Sequence, residues 1–319
     1  MVVTRAQITS SGSREARGIA RRKLGSLREL SIKPATLQKY KLAVGYFYLW
    51  LVEACLETPA ELSGVDPLLA QFFEHLWESG QSVGTAGTTL SGLQWLVPAL
   101  RRRLPEGWRL LTVWQRNELP TRSMPADRFL AEALAGWCSH HGDLGAAAAF
   151  LLQFDQLLRP AEAAKTLLSA CTVLHNGTAV MVELGWTKGA HRKKVVEEVT
   201  TTWLPLVGLL RHLLQTRGPQ ECLVPGGTRR LAHYFHKVMS FTGLAGKGYT
   251  PYSLRRGGAT ECWLRTGDLR LTQQMGRWAD SRTARLYVDS AALQLRGTAR
   301  SAESAAAIKI LRRHGAFSA

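Results

Sequence analysis

Acidic residues are scarce in this chain. Over 319 residues, 24 Asp and Glu stand against 41 Lys and Arg, which leaves a net charge of +17 and an isoelectric point near 10.2. So little negative charge argues against a cationic partner and points to a polyanion, nucleic acid first. Cysteine is scarce too. Cys55, Cys138, Cys171, Cys222 and Cys262 are scattered, odd in number and without metal-ligand spacing. That pattern argues against a disulfide framework and a zinc site, and predicts a reduced, intracellular protein. His140-His141 and the pair His233/His236 have no cysteine or acid at suitable spacing, so the second pair reads as one face of a helix. Long apolar runs are missing: the longest, from Leu144 to Leu152, is followed by Asp155 and falls short of a membrane span. No internal repeat, low-complexity tract, secretory apolar segment or nucleotide-cofactor motif is present. The expectation is therefore no cofactor, no metal and no membrane.

What is there is mostly helical patterning. The first 28 residues are rich in Arg and Ser and poor in acids, and read as a basic flexible arm. Ala35 to Glu53 carries Leu37, Tyr40, Val44, Phe47 and Leu51 at helical spacing. Helices are expected around Leu69, Phe72, Phe73 and Leu76, and again from Ser82 to Arg103, where Gly92 and Pro98 are weak points. Residues 29–115 thus read as a small helical bundle. The triplet Arg101-Arg102-Arg103 can complement a helix C-terminus or touch phosphates. Leu111 to Ala126 holds Pro120 and Pro125, lacks periodicity and is the expected linker.

A second domain is expected over 122–319. Helices are predicted from Asp127 to Trp137, from Leu144 to Leu158 and from Pro160 onward. At Thr178 the period changes to two: Val180, Val182 and Leu184 alternate, as do residues from Val196 to Trp203. Between these runs lies Gly185-Trp186-Thr187-Lys188-Gly189-Ala190-His191-Arg192-Lys193-Lys194, read as a hairpin with a basic tip. Further helices are predicted at Pro205 to Gln215, Thr228 to Phe241, Ser253 to Arg265 and Leu269 to Met275, the last two ended by Gly267 and Gly276. Asp280 or Ser281 can cap one more helix, with Tyr287 in its second turn. The fold class is mainly α with a small antiparallel β-sheet.

The most telling residues are Arg255, Trp278 and Tyr287. Arginine offers a planar fork of donors that fits two phosphate oxygens. The indole donates one hydrogen bond, and a phenol can act as a covalent nucleophile. Two breaks between three short helices would let these distant residues converge. Upstream, Leu158-Arg159-Pro160-Ala161-Glu162 places an arginine at a helix junction, three residues before a glutamate.

The order Arg159, Glu162, Lys188, Arg255, Trp278, Tyr287 resembles the tyrosine recombinase, or phage integrase, family. The resemblance covers Asp127 to Asp289 by motif, and the helical bundle is similar to that family's SAM-like core-binding domain. It implies an α+β catalytic domain of the DNA breaking-rejoining type. Position by position, it implies that Arg159 and Arg255 are the two catalytic arginines, Glu162 the supporting acid and Lys188 the catalytic lysine, with Lys193 and Lys194 as alternatives. Trp278 takes the His-or-Trp position and Tyr287 that of the nucleophile. The family's histidine three residues before the second arginine is replaced here by Tyr252.

The implied mechanism is attack of Tyr287 on a DNA phosphodiester. Arg159 and Arg255 would stabilise charge on the non-bridging oxygens, with Trp278 and Tyr252 as further donors. Lys188 would protonate the leaving 5′ oxygen. The product is a 3′-phosphotyrosine link, formed without metal or cofactor. The resemblance further implies double-stranded DNA as partner, a homo-tetramer on paired sites, a mobile-element origin, and residence with DNA, in the nucleus if the source is eukaryotic. The apolar segment Ala305 to Leu311 would dock on a neighbouring subunit or on its own domain. A type IB topoisomerase-like enzyme and a DNA-binding relic without catalysis are the alternatives.

Overall fold

Apolar periodicity builds the first of two units, into which a computed structural model divides the chain: Met1–Thr121 and Arg122–Ala319. The structure describes residues 13–120, 122–185, 196–288 and 300–315. In the first unit, the helices Pro34–Glu53, Val65–Glu78, Val83–Leu96 and Pro105–Asn117 enclose one core around Phe47, Leu69, Phe72, Phe73, Leu90 and Leu111. Pro98 does end the Val83–Leu96 helix, and a short 3-10 turn, Pro98–Leu100, follows it. Asp66 ties this core together by accepting from the free N–H groups of Glu106 and Gly107, each at 2.9 Å.

Two expectations change here. The Pro105–Asn117 helix runs into the segment read as linker, because Leu111 and Trp114 fall one turn apart on its buried face. The two prolines that suggested a loop lie beyond its end. The basic arm is not irregular throughout either. Arg14–Leu24 is a helix capped by Ser13, and none of its residues is buried. Arg101, Arg102 and Arg103 are exposed after the 3-10 turn rather than in the last turn of an α-helix.

The second unit is built around the helix Leu144–Asp155, buried continuously from Gly145 to Phe154. Its alanines keep it thin, so the helices Arg128–His140, Leu204–Thr216 and Ser253–Thr266 all pack against it. A three-stranded antiparallel sheet flanks this core in the order β1 (Cys171–Leu174), β2 (Ala179–Gly185), β3 (Glu197–Thr201). Val180 and Val182 point into the core and pair with Thr201 and Val199, as their period of two requires. β1 was not foreseen, since Cys171–Leu174 is only four residues long. Val196 lies just before β3, and the expected hairpin tip, residues 186–195 with Lys188, Lys193 and Lys194, lies outside the described residues.

Two glycines decide how closely the site helix is seated. A Cβ on Gly257 would stand 1.5 Å from the Ala126 carbonyl oxygen, and one on Gly258 would stand 1.9 Å from that of Phe154. The Ser253–Thr266 helix therefore rests directly on neighbouring main chain. Its C-cap is Gly267 in the left-handed region at φ 65°. At the far end of the unit, the helix Ala302–Arg313 packs on Arg128–His140 of the same chain, burying Ile308 and Leu311. Ser304 donates to the Thr242 carbonyl at 2.6 Å, and Arg312 pairs with Glu132 at 2.6 Å. Of the two docking modes considered for this segment, the chain's own domain is the one adopted.

Candidate active site

Four separated stretches bring the predicted residues together. Arg159 stands at the N-terminus of the short helix Pro160–Lys165. Tyr252 stands at the N-cap position of the Ser253–Thr266 helix, and Arg255 sits in its first turn. Trp278 follows the helix Leu269–Met275. Tyr287 lies in a helix over residues 281–288, whose start Asp280 caps by accepting from the Arg282 N–H at 2.7 Å.

Arg159 and Glu162 form a closed pair. The Arg159 main-chain N–H donates to Glu162 Oε2 at 2.9 Å, and its Nη1 donates to Oε1 at 2.5 Å. Burial works to lower the Arg159 pKa, but the charge and hydrogen bond of Glu162, and after them Tyr252, outweigh it, and the net shift is upward. Burial likewise works to raise the Glu162 pKa and is overcome by the Arg159 N–H and charge, so this carboxylate stays ionised. Glu162 braces Arg159 and Arg277.

Arg255 departs from the expected fork. It is fully buried, with Nη1 on the Leu157 carbonyl and Nη2 on that of Gly276 at 2.7 Å. Its Nε has no hydrogen-bond partner among the described residues. Leu157 reaches it because its own backbone is left-handed, at φ 50°. Desolvation lowers the Arg255 pKa, with Tyr252 opposing. Trp278, 8% exposed, lies 5.3 Å beneath the Arg255 guanidinium and stacks on the Tyr287 ring, centroids 4.5 Å apart and planes at 25°. The indole is thus a buried plate for both groups.

The Tyr287 hydroxyl donates to that of Tyr252 at 3.0 Å. Burial, then this bond, push the Tyr287 pKa up to about 12. Tyr252 therefore accepts the hydroxyl proton of Tyr287.

Arg277 belongs to the site and was missed in the sequence. Its Nη2 pairs with Glu162 at 3.1 Å, its Nε faces Glu197 at 3.4 Å, and its Nη1 donates to the Gln156 carbonyl at 3.2 Å. One guanidinium so links the Arg159–Glu162 pair to the first residue of β3. The backbone at Arg277 is left-handed, at φ 55°. No spacing rule separates Arg277 from a surface arginine; its burial is set by Glu162 and Glu197, both distant in sequence. Among the described residues, no group of three or more His, Cys, Asp or Glu side chains could hold a metal, and His233 and His236 are exposed on the Gly227–Phe241 helix.

No family model matches this sequence, and no curated protein does. Solved structures do match in fold. The site-specific recombinase XerH bound to its difH substrate before cleavage has a TM-score of 0.53 at 17% identity, over 86% of this chain and 79% of that one. Its post-cleavage complex on a palindromic difH substrate gives 0.57 at 17% identity, over 88% and 82%. The integrase of the Tn1549 transposon, in complex with transposon right-end DNA, gives 0.58 at 14% identity, over 88% of this chain and 96% of that one. The fold of this chain is the one these tyrosine recombinases and integrases share.

Proposed function

We propose that this chain is a DNA strand-transfer enzyme, a site-specific recombinase or integrase, that works through a 3′-phosphotyrosine intermediate. The observation that carries the reading is the meeting of Tyr287 with Tyr252, Trp278 and Arg255, with Arg159 joined to Arg255 through Glu162, on a fold shared with DNA-bound recombinases.

Tyr287 Oη attacks the phosphorus, and the bond to the 5′ oxygen breaks. Arg159, partly exposed, meets the non-bridging oxygens directly. Arg255 adds a buried positive charge behind them and keeps Leu157 and Gly276 in register. Charge that develops in the transition state is thereby matched by charge already fixed in place. Trp278 holds the Tyr287 ring, its indole N–H serving as a further donor. Lys188 is the proposed acid for the leaving oxygen. The phenolic proton of Tyr287 passes to Tyr252, the group already bonded to it, as the Tyr252 hydroxyl gives its own proton up to solvent. The phosphotyrosine bond conserves the energy for rejoining, so no cofactor is required. The partner is double-stranded DNA, held by a surface rich in Lys and Arg. A tetramer on paired sites would complete the exchange, as would be expected of a mobile-element enzyme acting on DNA in the cell.

A second reading is a DNA-binding protein that has lost catalysis. The observation favouring it is that the Tyr287 proton is bonded to another phenol, a poor base near neutral pH. Incubation with nicked duplexes, followed by denaturing electrophoresis, separates the two. The enzyme reading expects a covalent protein–DNA adduct in the parent and none in Tyr287→Phe. An adduct that survives in Tyr287→Phe would show that another residue attacks. No adduct in either protein would establish the binding-only reading.

A further inference from the structure

Arg256 is the anomaly of the second unit. It is 5% exposed, and its Nε and Nη2 have no hydrogen-bond partner among the described residues. Other guanidinium groups held in this unit reach an acceptor: Arg159 and Arg277 on Glu162, Arg255 on two carbonyls, Arg230 on Asp143, Arg312 on Glu132. Among the described residues, no carboxylate pairs with Arg256. Its charged neighbours make the deficit worse. Burial, then the charge of Arg122, lower its pKa, and only Tyr287 opposes them. Arg122 is itself exposed and donates to the Leu286 carbonyl at 3.4 Å, one residue before the proposed nucleophile. A desolvated cation near the positive end of the Ser253–Thr266 helix thus feels the charge of a second one, Arg122, which is held one residue from Tyr287.

A buried guanidinium with orphaned donors is destabilising unless an acceptor arrives. An anion bound there would satisfy Nε and Nη2 and neutralise the Arg122–Arg256 repulsion. On the reading proposed above, Tyr287 lies against the cleaved strand, so the nearest anion is a backbone phosphate. We propose that Arg256 and Arg122 form a second phosphate-binding position beside Tyr287, which takes the DNA phosphate next to the one held by Arg159. The strand would then be gripped on both sides of the attacking hydroxyl, fixing which phosphate it faces.

The test uses Arg256→Met, which keeps the side-chain length and removes the charge. It should melt at or above the parent temperature, because an uncompensated buried charge is gone. A merely structural arginine would lower it. Binding to a random-sequence duplex should lose about one unit of the slope of log affinity against log salt, the signature of one phosphate contact. On a duplex selected from a random pool by the parent, phosphate-ethylation interference should disappear at a single phosphate. That phosphate should adjoin the one whose signal is lost in Arg159→Ala. A lower melting temperature, an unchanged slope, or an interference pattern identical to the parent would each overturn the proposal. These readouts need binding only. A parent that forms no adduct would thus defeat strand exchange while leaving the phosphate contact to be read.

Discussion

Tyr287 is neutral at physiological pH by a wide margin, since burial and the Tyr252 bond carry its pKa from the ordinary value near 10 to about 12. The raised value has a stability consequence of definite sign. The fold favours the neutral phenol, so this contribution is complete below the unfolded value and is lost as pH rises through the folded one. Urea melts of the parent and Tyr287→Phe at about pH 9 and about pH 11.5, either side of the ordinary tyrosine value, should show the parent losing more stability than the variant. Tyr252→Phe removes the bond but keeps the burial, so it should fall between them. Equal losses in the parent and Tyr252→Phe would mean that the phenol pair does not form in solution. The two arginines should also part company. Arg159→Ala should slow adduct formation about 10²-fold or more, the scale for one transition-state donor, with little effect on melting. Arg255→Ala should slow it as well, and also destabilise by about 2 kcal/mol or more, because two buried carbonyls lose their donors. Single-turnover kinetics beside denaturant melts would decide. Equal melting of the two variants would show that the inward-turned fork carries no structural weight.

At the scale of elements, the Ser253–Thr266 helix is the part on which the site depends. It presents Arg255 to the arginine cluster while Gly257 and Gly258 lie against the main chain of Ala126 and Phe154. In an isolated helix, Gly257→Ala would be stabilising by roughly 1 kcal/mol. Here the methyl must displace a carbonyl, and overpacking of this kind costs roughly 1–3 kcal/mol. A net loss of stability is expected for Gly257→Ala and Gly258→Ala, read by urea denaturation, with adduct formation falling further as Arg255 shifts. A stabilised Gly257→Ala would mean that the helix stands off from Ala126. The glycines thus answer to close packing against neighbouring main chain.

For the whole molecule, the division into two units follows from two cores that share no residue. One spans Val44 to Trp114, the other Ala126 to Leu311. A fragment of residues 122–319 should therefore fold by itself, with a cooperative thermal transition followed by circular dichroism. A fragment that stays unfolded would show that the second core needs the first. The C-terminal helix belongs to that second core through Ile308, Leu311 and Arg312, so the fragment must retain it.

How much of this was legible beforehand depends on how local each property is. Helical periodicity, the breaks at Gly267 and Gly276 and the cap at Asp280 are short-range, so the helices carrying Arg255 and Tyr287 could be placed from the residues alone. The order Arg159, Glu162, Arg255, Trp278, Tyr287 was enough to suggest a phosphate-handling cluster. The end of the first bundle was misjudged, because Leu111 and Trp114 show their purpose only against the helix they bury. Other features are invisible in one dimension. Arg255 turns its fork to the Leu157 and Gly276 carbonyls, Arg277 bridges Glu162 and Glu197, and Arg256 is buried without an acceptor. All are arginines in a chain full of them. What the sequence by itself determined was which elements form and which chemical groups they carry, since both follow from neighbours a few residues apart. Only the tertiary structure decided which guanidinium is paired, which is orphaned, and which phenol holds the Tyr287 proton. Those outcomes rest on burial and on charges brought together from more than a hundred residues away, as with Arg277 and Glu162, 115 positions apart.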